Sequence, residues 1–288
     1  MERLVNNWCL INRAGDCCRA SVSVVVESAP VRLARISHSE GASFVAIGGE
    51  PDSLIAAELG TSLFVDPTFT GRTWPLASVE LLAPIRPSKV VCVGKNYADH
   101  AREMGGEAPV DPVIFLKPST SVIGPGADIV LPADSARVDY EGELAVVIGG
   151  VPAKDVKVED ARSVILGYTI ANDVTARDQQ QADGQWTRAK GHDTFCPLGP
   201  WIETSLDPAD LELRTEVDGE TRQDCRTSEL VHGVGELIAW ISHAMTLLPG
   251  DVVLTGTPAG VGPMTAGQTV SVSVEGIGTL TNTVVGGP

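Results

Sequence analysis

Short apolar runs broken by Gly and Pro, rather than long amphipathic stretches, set the rhythm of this chain. From Val31, VRLARI and SFVAIGG alternate well enough to predict a hairpin. PDSLIAAELG reads as a short helix closed at Gly60, since glycine accepts the left-handed C-cap conformation. LLAPIRPSK, with its two prolines and polar tail, predicts a linker ahead of the strand VVCVG. Beyond it DPVIFLKP, ELAVVIGG, ILGYTIANDV, LELRTEVDGETRQ and DVVLTGTP read as strands between turns. QTVSVSVEGIGTLTNTVV is close to strict alternation, which predicts two half-exposed strands turned at Gly276 to Gly278. One helix stands out, SELVHGVGELIAWISHAMT, with Leu230, Val234, Leu237, Ile238, Ile241 and Met245 on one face and Ser228 as N-cap. The expected organisation is a weakly ordered extension over 1–30, a small N-terminal domain over 31–82, a linker over 83–89 and a larger domain over 90–288. The fold class is α+β, mostly β.

Composition narrows the function classes. At 288 residues and 43% hydrophobic, the chain is long enough to bury a large core. Acidic residues outnumber basic ones 37 to 21, a net charge of −16 that repels nucleic acid and anionic lipid. No window offers the roughly 18 apolar residues of a membrane span. The cysteines (9, 17, 18, 92, 196 and 225) form no CxxC pair and no regular framework, which points to reduced thiols and a cytoplasmic location. An anionic substrate would need local cations, or a bound metal, to reverse the sign of so acidic a surface.

Three stretches carry candidate chemistry. In VDYEGELAVVIGG, Glu141 and Glu143 project to one face of an extended strand with charges about 6 to 7 Å apart. That is either a solvated strand face or a pair of ligands for a hard divalent cation, which would relieve their repulsion. Asp173 closes the strand-like run ILGYTIAND; it reads as the N-cap of a helix starting at Val174, or as a third oxygen ligand for Mg²⁺ or Mn²⁺. In GKNYADHAREMGG, His100 and Glu103 share a helix face, and a carboxylate on an imidazole fixes its tautomer and raises its basicity. The plain alternative is an ordinary i,i+3 surface pair. Lys95, Lys117, Arg177 and Lys190 lie near these stretches, with Gln180 beside them, and offer a local positive patch or, taken singly, ordinary surface ion pairs. TGTPAGVGP brings Thr257 and a run of backbone amides to a strand end. GxxxxGK[ST], GxGxxG after a strand, GxSxG and HExxH are all absent, which disfavours nucleotide binding, serine hydrolysis and a zinc site.

Taken in order, GKNYADHAREMG, VIFLKPSTSVIGPG, VDYEGELAVVIG, GYTIANDVTARDQQ, KGHDTFCPLGPW and LTGTPAGVG resemble the fumarylacetoacetate hydrolase family from about Lys89 to Val285. The resemblance implies mixed β-sheets rolled around a central metal site, a smaller N-terminal domain and a homodimer. It implies Glu141, Glu143 and Asp173 as metal ligands, His100 and Glu103 as the catalytic pair, and Lys190 as a cation beside metal and substrate. Arg177, Gln180, Thr257 and Lys117 would bind a small-molecule 2-oxo acid. The implied reaction is C–C hydrolysis of an acylpyruvate-type substrate. Isomerisation of 2-hydroxyhepta-2,4-diene-1,7-dioate, and tautomerisation or decarboxylation of oxaloacetate, share the same enolate. A non-catalytic 2-oxo-acid binder is the reading from another class. His192 stands where many members of the family carry an apolar residue, so the pocket wall is expected to differ there.

Overall fold

A computed structural model describes residues 31–287 apart from 51 and 66, so the expected extension over 1–30 lies outside the described residues. A 12-stranded sheet dominates. Its path runs from Phe69–Pro75 through Ile55–Leu59, Gly41–Gly48, Arg32–His38, Cys196–Glu203, Ile165–Asn172, Gly142–Ile148, Val252–Leu254 and Val90–Gly94 to Val113–Lys117. Arg32 and Leu33 pair with Glu203 and Ile202, so the N-terminal strands extend the same sheet as the rest of the chain. A five-stranded sheet and a three-stranded sheet complete the β architecture. Four α-helices are described: α1 (Ala98–Glu103), α2 (Arg177–Asp183), α3 (Thr187–Gly191) and α4 (Val234–Ala244).

The unbroken apolar run after Glu143 is explained by burial on both sides of the sheet. Leu144, Val146 and Ile148 point to one face, where they meet Leu237, Ile238 and Ile241 of α4 and Leu213 and Val272 of the five-stranded sheet. Ala145 and Val147 point to the other, among Val90, Cys92, Ala171, Leu198 and Leu254. Period-two alternation then puts Glu141 and Glu143 on the side of Ala145 and Val147, at the end of that second core. The expected hairpin near the C-terminus is present as Thr269–Val274 paired with Gly278–Gly286.

Three local expectations are corrected. Ile55–Leu59 is a strand between Gly41–Gly48 and Phe69–Pro75, not a helix. Ala, Glu and Leu favour helix intrinsically, but Ala56, Ala57, Glu58 and Leu59 are all buried, and pairing on both sides decides the outcome. Helix α4 starts at Val234 with Gly233 as its N-cap, five residues beyond Ser228. Ser228 donates instead to Asp210 at 2.8 Å, and Leu230 bridges to Tyr97. Asp173 caps no helix, because Thr175–Ala176 follows as a strand paired with Val138–Tyr140.

Candidate active site

Two neighbouring strand ends bring the carboxylates together. Gly142 pairs with Asn172, and one residue further out the Asp173 N–H donates to the Glu141 carbonyl at 2.8 Å. The Asn172 side chain accepts from the Glu141 N–H at 2.8 Å, which fixes the two strand ends relative to one another. Gly142 is demanded by packing: a Cβ there would fall inside the Thr215 hydroxyl and 2.9 Å from Val272. Oxygens of Glu141, Glu143 and Asp173 consequently lie within 4.8 Å of one another, and all three residues are buried.

Cations surround the cluster unevenly. Lys190 of α3 donates to Glu141 and to Asp173, each at 2.7 Å, and its ammonium lies 4.9 Å above the Phe115 ring. Arg177 of α2 donates to Glu141 at 2.5 Å, to Asp139 at 2.8 Å and to Gln180 at 3.0 Å. Lys117 donates to Asp173 at 2.6 Å and to the Val174 carbonyl at 3.1 Å. Glu143 has no cation in contact among the described residues; its carboxylate accepts only the Gly256 N–H, at 2.5 Å. Gly256 takes φ 105°, and a Cβ there would meet Asn96 at 2.8 Å, so only glycine presents that N–H this way.

The charges follow from these partners. Burial pushes the Glu143 carboxyl well above the carboxylate range, and Asp173 and Glu141 add to the push. Burial opposes charge on Glu141 too, but Lys190, Arg177 and His100 outweigh it and hold this carboxyl below its ordinary value. For Lys190 the burial penalty is outweighed by Asp173 and Glu141, so the ammonium is held above its usual pKa.

A cavity of about 210 Å³ opens over the cluster, and its wall includes Glu141, Glu143, Asp173, Lys190, His100, Arg177, Gln180, Thr257, Lys95, Phe115 and Trp186. His100, 5% exposed, contacts Glu103 at 3.1 Å through Nδ1. Glu103 is held in turn by the Gly260 N–H, at 3.1 and 3.3 Å to its two oxygens, and the Gly260 carbonyl accepts from the Tyr140 hydroxyl at 2.9 Å. The loop after Val252–Leu254 thus orients the pair on α1 as well as Glu143. A larger hollow of about 490 Å³ behind this loop has no acidic residue in its wall.

Of the residues expected from sequence, His100, Glu141, Glu143, Asp173, Arg177, Gln180, Lys190 and Thr257 meet in one cavity, with Glu103 bonded to His100 from beside it. Two placements differ from expectation. Lys117 is sealed behind Asp173 and holds that carboxylate rather than lining the cavity. His192 bonds Gln179 at 2.7 Å and stays out of the cavity wall. The Thr257 hydroxyl donates to the Gly142 carbonyl at 3.0 Å and accepts from Gln223 at 2.7 Å, so its proton already braces the strand between the glutamates. Sequence reasoning missed Asp139, which is fully buried between Arg177 and Arg137. Its position two residues before Glu141, on the same strand face, was the available signal.

The residues present fit a hard divalent cation. The donors are carboxylate oxygens with no thiolate or imidazole among them, and Glu143 lacks the counter-charge that its burial requires.

Comparison with known proteins agrees with this geometry. The model for the fumarylacetoacetate hydrolase C-terminal domain matches residues 89–285, and that for the Rv2993c-like N-terminal domain matches residues 31–84. Protein Rv2993c of Mycobacterium tuberculosis is 62% identical over 261 residues, covering 88% of this chain and 98% of that protein. A crystal structure described as 5-carboxymethyl-2-hydroxymuconate delta-isomerase from Mycobacterium smegmatis is 61% identical, with a TM-score of 0.84 over 89% of this chain and 100% of that one. The mitochondrial oxaloacetate tautomerase Fahd2a of Rattus norvegicus is 44% identical over 223 residues, 73% of this chain and 71% of that protein. With the carboxylate cluster, the cavity and the match over most of its length in agreement, the chain belongs to the fumarylacetoacetate hydrolase family.

Proposed function

We propose that this chain is a divalent-metal-dependent enzyme that interconverts isomers of 2-oxo acids through their enolates, with His100 as the group that moves the proton. The observation that carries the reading is the His100–Glu103 contact of 3.1 Å beside a buried carboxylate cluster in one cavity. A divalent cation held by Glu141, Glu143 and Asp173 would supply Lewis-acid polarisation of the 2-oxo acid oxygens. The remaining work falls to side chains. Glu103 accepts from Nδ1–H of His100, which leaves Nε2 free to take a proton from the carbon beside the keto group. The electron pair moves onto the keto oxygen, where the Lys190 ammonium offsets the developing charge. Return of the proton to oxygen, or to a distal carbon of a conjugated acid, completes a tautomerisation or an isomerisation with atoms and charge balanced. The names of relatives at 61% and 44% identity support this order of preference.

A second reading, C–C hydrolysis of acylpyruvates, is favoured by the form of the dyad. A His–Glu pair suits water activation: Nε2 takes the water proton, the oxygen attacks the distal carbonyl, and the C–C bond breaks. The electron pair stays on the pyruvate-like fragment as its enolate, which then takes up the proton. One panel separates the two: oxaloacetate, a 2-hydroxy-dienoate diacid and an acylpyruvate, each followed with Mg²⁺ and with Mn²⁺. Faster conversion of the first two is expected. His100→Ala should lower the preferred rate by roughly 10² to 10⁴ without loss of Mn²⁺ affinity. Full activity of verified metal-free protein, or of His100→Ala, would sink the proposal.

A further inference from the structure

The strand Val90–Gly94 passes into α1 through Lys95 and Asn96, and this link is locked. Asn96 donates to the His232 carbonyl at 3.0 Å and to the Thr255 carbonyl at 2.8 Å, and it accepts from the His232 N–H at 2.9 Å. Lys95 itself takes φ 58°, the left-handed region that residues bearing a Cβ rarely occupy. The strained backbone turns this side chain into the wall of the cavity, where its Nζ lies 3.7 Å from where a Cβ on Gly106 would stand.

What sets Lys95 apart is its lack of a partner. Lys190 is committed to Glu141 and Asp173, Arg177 to Asp139, Glu141 and Gln180, and His100 to Glu103. Among the described residues Lys95, half-buried, makes no ion pair and no hydrogen bond, in a chain whose net charge is −16. With 37 carboxylates available, a cation left unpaired on a strained backbone in the cavity wall is placed for an anion that arrives with the ligand.

We infer that Lys95 receives the distal carboxylate of the substrate, so that the cavity selects 2-oxo diacids over 2-oxo monoacids. The inference rests on the 2-oxo-acid reading above and names the substrate class within it. The α-keto carboxylate end faces the acidic cluster with Lys190 and Arg177, while the far end of a diacid is read by a lone ammonium, a point charge that tolerates some variation in chain length.

The test is a binding measurement, independent of turnover. Mn²⁺-loaded protein is titrated calorimetrically with 2-oxoglutarate and with 2-oxopentanoate, in which a methyl group replaces the distal carboxylate. Wild type should favour the diacid by about 10- to 100-fold, the range of one charge-assisted contact. In Lys95→Gln the ratio should fall to within about threefold of unity, and Lys95→Arg, which keeps the charge, should restore most of it. The monoacid measured on each variant reports whether the cavity is intact. A preference that survives Lys95→Gln, or equal affinity of wild type for both acids, overturns the inference and leaves the 2-oxo-acid reading standing. If neither acid binds the loaded protein, that reading falls and the inference with it.

Discussion

Glu58 and Glu143 are both glutamates turned inward from strands of one sheet, 6% and 1% exposed, and they meet opposite electrostatic fates. Glu58 accepts from Ser43 and Thr70, each at 2.6 Å, and from Nε and Nη2 of the Arg72 guanidinium. Its partners, Arg72 first, hold the carboxyl down at about 2, helped by a place near the sheet edge where few other atoms crowd it. Glu143 has a single backbone donor, two acidic neighbours and a dense surround, and its carboxyl is pushed up. The difference teaches that low exposure alone does not decide a side chain's charge; the donors provided, set against the density of the surround, do. Glu58 is a finished structural ion pair, whereas Glu143 is left without a counter-charge by the polypeptide, as the proposed metal site requires.

The strongest way to break this contrast is Asp173→Ala. It lightens the repulsion on Glu143 but leaves the Lys117 ammonium sealed without its carboxylate and removes one of the two carboxylates that Lys190 holds. Urea unfolding of metal-free protein should show a loss of about 3 to 5 kcal/mol, the usual cost of a buried charge deprived of its partner. A loss below about 1 kcal/mol would mean that these lysines are not held as buried ions.

Next in size is the effect of the metal. Free Mn²⁺ at 100 times its dissociation constant should stabilise wild type by about 2.7 kcal/mol, and chelation should reverse it. Glu58→Gln should keep that gain, and Glu143→Gln should forfeit most of it. Equal gains in the two variants would remove Glu143 from the ligand set.

The smallest effects are in the pH dependence of metal-free protein, and they have opposite signs. With a folded pKa of about 2 against an ordinary 4.5, Glu58 contributes stability that is present above pH 4.5 and is lost as the pH falls towards 2. Glu58→Gln should therefore flatten the acid limb of the stability profile. Glu143 is raised, so its contribution is present below pH 4.5 and is lost as the pH rises towards its folded pKa. Glu143→Gln should flatten that decline towards higher pH, and urea midpoints collected every half unit of pH will show whether the two slopes diverge as stated.

Much of the site was legible because its residues cluster in short motifs with strand or helix spacing. Glu141 and Glu143 sit on one face by period two, and His100 and Glu103 meet at i,i+3. What escaped was whatever depends on distant partners. Lys117 looked like a pocket cation because only the fold brings it behind Asp173, 56 residues along the chain. Asp139 was hidden as one more polar residue before the glutamates, although Arg177 rests on it. The strand Ile55–Leu59 reads as helix until Gly41–Gly48 and Phe69–Pro75 are placed beside it, and Arg72, which anchors Glu58, comes from the second of these.

The bond from the Asp173 N–H to the Glu141 carbonyl also constrains how this segment can change over time. Because the three acidic residues are defined by the pairing register from Gly142 opposite Asn172 to Val147 opposite Gly167, losing or gaining one residue within that stretch would turn the acids to the opposite face, whereas the irregularity beside Ile148 already absorbs a shift at the far end. The apolar character of both strands would survive such a change and the sheet could still assemble, but without its cluster. Descendants of this gene can therefore explore substitutions along the two strands while the length of that paired stretch stays fixed, and changes in length fall to the irregularity beside Ile148 and to the connection beyond it.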